Sequence, residues 1–195
     1  MELRIILEAG HTQAVTGMQM SFQTECPLRE VQEAQYVSTK KTKLIAGMDG
    51  GHNKFLESIM VWVDMRLSMK MWKQFDTYRI ATKQSKSTMH TMLRRPLLYS
   101  DFDAPINVGT LAELNDWIDK KSWEDVCDNL PMSYLQTRRV CLSYKTLRNI
   151  ILQRRNHKLH EWHIICDFFM KNLRYPELLG IKPIDTSINI TGDIA

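Results

Sequence analysis

No run in this chain approaches the roughly 20 consecutive apolar residues that a membrane-spanning helix needs. The first eight residues have no long apolar stretch and no small-residue cleavage site. Neither a membrane span nor a signal peptide is therefore expected. Glycine (8 residues) and proline (6 residues) are too scarce for a collagen-like or fibrous chain. Internal repeats and low-complexity tracts are absent, which excludes solenoids and arrays. The four cysteines, Cys26, Cys127, Cys141 and Cys166, are widely spaced and form no C-x-x-C pair. Without a secretion signal they read as reduced packing thiols, and the chain as cytoplasmic.

What is present is ordinary for a folded protein: 44% apolar and 25% charged residues, enough to build a core and too apolar for disorder. A length of 195 residues suits one substantial core and leaves little room for a second. We expect a single domain over residues 1–195, with an irregular tail from about residue 176. The net charge of +4 is mild but uneven. Arg138, Arg139, Lys145, Arg148, Arg154, Arg155 and Lys158 follow one another with no Asp or Glu among them. Such a segment suits phosphate groups. Aromatic residues are not interleaved there as single-strand binders require, so nucleic acid is not the expected partner.

Residues 3–7 read as a short buried strand, residues 30–36 as a helix and residues 38–43 as a lysine-rich loop. The clearest strand covers residues 58–65. Ile59, Val61, Val63 and Met65 alternate with Met60, Trp62 and Asp64, and two largely apolar faces place it inside a sheet. A helix is expected over residues 68–78, then a Ser/Thr/Lys-rich loop over residues 80–90 that a ligand or partner would order. Thr110, with Glu113 three residues on, predicts a capping box and a helix through Asp119. Leu130-Pro131 marks a boundary. Val140, Tyr144, Leu147 and Ile151 form one helical stripe, predicting a long helix over residues 134–153. A second helix covers residues 161–172, with Trp162, Ile165, Phe168 and Phe169 inward. Strands early and helices late predict an α+β fold. His157, His160 and His163 are spaced so that two could share a helix face. They lack a convincing third ligand other than Cys166, so no metal is expected. The many methionines read as core filler.

Three stretches carry chemistry. Residues 72–90 contain Gln74, Thr77-Tyr78-Arg79, Thr82, Gln84, Ser85 and Ser87. They resemble, in degraded form, the signature R-H-R-x-x-S-x-N-E-x-S-x-R-Y of the flavin-dependent thymidylate synthases, with Gln74 on a preceding family glutamine. Gly51-His52 and Glu57 resemble the family's G-H-x-x-x-x-E-H segment, in which the histidine lies near the flavin. Leu130-Pro131, then Ser143-Tyr144-Lys145-Thr146-Leu147 and Arg154, resemble its L-P…N-x-R-x-L…R helix. The match spans roughly residues 45–170 in the family's order.

The resemblance implies an antiparallel sheet packed with long helices, and a homotetramer with sites between subunits. It also implies FAD as cofactor and the pyrimidine nucleotide dUMP as substrate. NADPH and methylenetetrahydrofolate would serve as partners, and a one-carbon unit would be transferred to uracil C5. It assigns His52, Tyr78, Arg79 and Thr82 to the flavin, and Gln74, Gln84, Ser85, Ser87, Lys145 and Arg154 to the nucleotide. Lys145 and Arg154 stand nearest the chemistry. The departures are equally plain. Thr77 stands for the first signature arginine, Ser85 for its glutamate, and Met89 and His90 for its last arginine and tyrosine. Lys145 stands for an arginine, keeping charge without the planar fork. A second reading follows: a retired nucleotide pocket, as in the phage-borne proteins that divergent versions of this fold resemble, used to sequester a nucleotide signal.

Overall fold

The computed structural model describes residues 1–22 and 37–181. The helix expected over residues 30–36, Cys26 and the tail beyond residue 181 lie outside the described residues. The fold is α+β. Strands β1 (Glu2–Ala9), β2 (Met60–Ser68), β3 (Ala81–Ser85) and β4 (Leu135–Ser143) form an antiparallel sheet in the order β1-β2-β4-β3. The helices are α1 (His11–Gln19), α2 (Lys40–Gly47), α3 (Met69–Phe75), α4 (Thr88–Thr91), α5 (Val108–Asp119), α6 (Trp123–Asp128), α7 (Tyr144–Arg154) and α8 (His160–Asn172). Among the described residues no helix is long and apolar enough to cross a membrane.

Strand β2 lies inside the sheet, as its two apolar faces predict. Val61, Val63 and Met65 pair with Leu142, Val140 and Arg138 of β4, so these side chains share the inner face. That face meets Tyr144, Leu147 and Ile151 of α7 and Trp162, Ile165 and Phe169 of α8, all buried. Each large apolar side chain so buried contributes about 1.5–3 kcal/mol. The opposite face, carrying Trp62, Asp64, Cys141, Arg139, Thr82 and Gln84, is half-buried to exposed. A second cluster, built by Met92, Leu97, Phe102, Leu111, Leu114, Ile118 and Val126, sits in the segment joining β3 to β4.

Several expectations are corrected. Strand β1 is an edge strand with a bulge between Ile5 and Leu7, and Leu7 is exposed, so it is not buried on both faces. Residues 40–43 begin helix α2, because Thr39 caps it by accepting from the Thr42 N–H (3.2 Å). Residues 81–85 form strand β3 in place of a loop. They are polar because an edge strand with exposed positions needs few apolar ones, and β4 supplies the order expected from a ligand. Helix α5 starts at Val108, before Thr110, because Asn107 caps the Gly109 N–H (2.8 Å). The long helix over residues 134–153 is instead strand β4 followed by α7. Ser143 makes the switch, its hydroxyl accepting from the Thr146 N–H (3.2 Å).

Past α8 the chain stays packed through Gly180. Residues 176–179 form a 3-10 turn that buries Leu178 and Leu179. Gly180 has φ 61, and a Cβ there would lie 2.6 Å from Gly47 Cα, so this contact admits only glycine. Among the described residues Cys127, Cys141 and Cys166 form no disulfide; burial pushes the Cys166 thiol up to about 12.

Candidate functional site

The N-terminus of α7 organises the site. Ser143 caps it, the Tyr144 N–H donates to the Ile59 carbonyl (2.9 Å), and Thr146 Oγ1 donates to the Ile80 carbonyl (3.1 Å). This last bond pins the Arg79-Ile80-Ala81 segment against the start of the helix. The consequence is a 400 Å³ pocket lined by Arg79, Thr82, Lys145, Thr146, Glu57 and Cys141, among others. Arg79 is exposed and makes no ion pair among the described residues. The helix start carries about half a positive charge. Two cationic side chains against one carboxylate, beside that dipole, favour an anion.

Lys145 is not idle. Its ammonium donates to Oδ1 of Asn53, which is fully buried and in turn donates to the Ala46 carbonyl (3.3 Å). A larger cavity of 760 Å³ adjoins, lined by Gly50, Gly51, His52, Phe55 and Glu57 together with residues of α1 and α2. Glu57 belongs to both walls. His52 is exposed at this second cavity, so His52, Arg79, Thr82 and Lys145 fall on two neighbouring cavities that share Glu57.

Tyr78 and Arg154 meet elsewhere. Arg154 Nε donates to the Tyr78 hydroxyl (2.8 Å), which donates to Gln153 Oε1 (3.1 Å). The Arg154 guanidinium lies over the rings of Trp162 (5.1 Å) and Tyr78 (5.6 Å), a cation–π arrangement. Gln74 joins this cluster: its Oε1 accepts from Trp162 Nε1 (2.8 Å). The three residues form one packed unit.

The remaining residues lie farther along β3. Gln84 is exposed on the outer face opposite Arg139, and Ser85 is exposed opposite Arg138. Ser87 caps the α4 turn, accepting from the His90 N–H (3.2 Å). Ser85 is three strand residues, about 10 Å, beyond Thr82. Within one chain, then, the candidate residues fall into three groups.

The run of cations from Arg138 to Lys158 does not form one basic face. Arg138 stacks over Trp72 (4.4 Å) and pairs with Asp76 (3.0 Å), while Arg139 pairs with Asp64 (2.7 Å) and holds its carboxyl below the usual range. Among the described residues no three His, Cys, Asp or Glu side chains gather as a metal site would need. His163 Nε2 instead lies 2.7 Å from the His157 carbonyl.

Motif reading did not single out Asn53, Thr146 or Cys141. Asn53 and Thr146 sit within matched segments, but only the fold shows that they hold Lys145 and the Arg79 segment.

No protein-family model and no curated protein matches the chain. Solved structures do. The flavin-dependent thymidylate synthase of Helicobacter pylori, crystallised with FAD and dUMP, superposes with a TM-score of 0.75 at 16% identity, covering 92% of this chain and 98% of that one. A second structure of that H. pylori enzyme with FAD and dUMP gives 0.71 at 16% identity, covering 90% and 95%. The UMP/dUMP methylase PolB of Streptomyces cacaoi, bound with 5-Br dUMP, gives 0.63 at 11% identity, covering 85% and 86%. At these identities the likeness is one of fold: this chain has the fold of the flavin-dependent thymidylate synthases.

Proposed function

We propose that this protein is a flavin-dependent thymidylate synthase-like enzyme that binds FAD and dUMP and transfers a one-carbon unit to uracil C5. The observation that carries the reading is the 400 Å³ pocket at the start of α7. It gathers Arg79, Thr82 and Lys145 in a fold whose solved neighbours hold FAD and dUMP. The set fits the phosphate portion of such ligands: an unpaired guanidinium, an ammonium and the positive end of a helix dipole. The two neighbouring cavities, 400 and 760 Å³, each lie within the size range of cofactor sites. In this reading Arg79 and Lys145 grip phosphate, Thr82 adds a hydroxyl, and His52 approaches the flavin ring from the second cavity. Arg154, held by Tyr78 and Trp162 outside both cavities, would present its outer nitrogens to the pyrimidine in a site shared between copies. Bound FAD would supply the hydride, with NADPH and methylenetetrahydrofolate as reductant and carbon donor. Gln84, Ser85 and Ser87 line neither cavity; in the homotetramer that the resemblance implies, they would serve a site shared with another copy.

A second reading, nucleotide binding without turnover, draws on specific observations. Thr77, Ser85 and Met89 have lost charge where the family carries it. Gln74 is held by Trp162, and Lys145 by Asn53.

An absorbance spectrum of the purified protein, before and after adding FAD, separates the two readings, followed by an assay for release of the uracil C5 hydrogen from dUMP. A flavin band and turnover support the enzyme. A colourless protein that takes up no added FAD, yet binds dUMP, sinks the enzyme reading and leaves the retired pocket.

A further inference from the structure

Helix α7 carries a second cation one turn after Lys145. Arg148 is 6% exposed, an expensive place for a charge without partners. Its Nη2 donates to the carbonyl of Gly47, the last residue of α2 (3.2 Å), and stands 3.6 Å from the carboxylate of exposed Asp49. Its Nε has no partner among the described residues. Lys145, three residues earlier on the same helix face, reaches the other end of the same loop through Asn53.

The two cations thus bracket residues 48–52. At one end Arg148 holds the Gly47 carbonyl; at the other Lys145 holds Asn53, which holds the Ala46 carbonyl. Both carbonyls belong to the last turn of α2, where unsatisfied acceptors and the negative end of the helix dipole attract cations. Between the anchors the chain has little of its own. Gly50 and Gly51 have φ 72 and 92 with open space around them, and Lys54 N–H donates back to the Gly51 carbonyl (3.2 Å). Gly50, Gly51 and His52 of this loop form part of the lining of the 760 Å³ cavity.

We propose that Arg148 is a positioning residue. It fixes the loop of residues 48–52, and with it His52, through the Gly47 carbonyl and Asp49, while touching no ligand itself. The role of His52 as a flavin contact rests on the function proposed above; the role of Arg148 in ordering the loop does not.

The test uses the full chain as wild type, R148M and R148K, with two readouts. The first is backbone order parameters of residues 49–52 in the ligand-free protein. The second is the dissociation constant for FAD. In the wild type the loop should be as ordered as the strands, near 0.85, and R148M should drop it below about 0.6 while leaving β2 and β4 unchanged. FAD affinity should fall by about tenfold in R148M and recover in large part in R148K, because a displaced contact group loses most of its effect. Should R148M fail to fold, D49N, altered at an exposed position, should loosen the same four residues to a smaller degree. An unchanged loop in these variants would overturn the proposal, as would loosening spread evenly over β2 and β4. A wild type that takes up no FAD would remove the flavin reading, and the order parameters alone would then decide the role of Arg148.

Discussion

Replacing Tyr144 by phenylalanine removes one oxygen from a buried polar network that joins four parts of the fold. Tyr144 is fully buried at the start of α7, and its hydroxyl donates to Glu8 Oε2 at 2.5 Å. His11 Nε2 lies 3.3 Å from the Tyr144 hydroxyl oxygen, and the Tyr175 N–H donates to that hydroxyl at 3.4 Å. Glu8 also accepts from the Arg174 N–H (3.0 Å), so β1, α1, α7 and the segment after α8 meet at this point. The phenylalanine ring fills the same space, so the loss is polar and not steric. A hydrogen bond to a charged group is worth about 1.5–3 kcal/mol, and we expect the variant to lose about 2 kcal/mol. For a chain of this size that is a fall of about 4–8 °C in Tm. Urea denaturation should show a lower midpoint at unchanged slope. The pH dependence gives a sharper test. Burial acts to raise the Glu8 carboxyl, but hydrogen bonds from His11, Tyr144 and the Arg174 N–H outweigh it and hold it below its ordinary value of 4.5. A carboxyl lowered on folding stabilises above its unfolded value, and that contribution is lost as pH falls through the folded value. The gap between wild type and Tyr144→Phe should therefore be full at pH 7. It should shrink toward the roughly 1 kcal/mol of a neutral hydrogen bond once Glu8 is protonated. Equal stabilities at pH 7, or a gap that does not change with pH, would refute this account of the network.

Three further outcomes are expected. Arg79→Ala should abolish binding of FAD and dUMP, read by calorimetry, while leaving the Tm of the ligand-free protein within about 1 °C, because an exposed unpaired side chain contributes little to stability. Normal binding by that variant would displace the site from the start of α7. Gly180→Ala should destabilise by more than about 1 kcal/mol in urea melts, since its Cβ would lie 2.6 Å from Gly47 Cα at a φ that alanine resists. A neutral result would mean that the turn after α8 is not packed against α2. Cys166 should resist alkylation in the native protein and react on unfolding, because its thiol is buried and pushed up to about 12. Native labelling at a rate matching Cys141 would contradict its place in the core.

The parts of the fold legible in the sequence are those where one physical signal dominates. Strand β2 alternates cleanly, and α8 repeats its aromatic residues at helical spacing, so both stand where the pattern puts them. Strand β4 did not announce itself, because its inward positions hold Gln136 and Arg138 as well as Val140 and Leu142. Arg138 is tolerated there only because Trp72 offers a ring face and Asp76 a countercharge, both distant in sequence. Its last apolar residues also fall in step with those of α7, so the two elements read as one helix. That misreading bears directly on the site. The strand-to-helix switch at Ser143 creates the helix start on which Arg79 and Lys145 converge, and a continuous helix would have no such end. The motif residues could therefore be named from the sequence, but not their grouping. Gln74 and Lys145 each read as a ligand contact, and each spends a hydrogen bond on Trp162 or Asn53. Both keep donors to spare, so a nucleotide exchanges those bonds for its own only where it draws the Lys145 ammonium off Asn53 or takes the Gln74 oxygen from Trp162. Weak binding by the free chain and a slow closing step are the expected signature of that exchange. Stopped-flow mixing with dUMP would read it as a binding rate that saturates with concentration, and a rate rising linearly throughout would mean that neither bond is exchanged on binding.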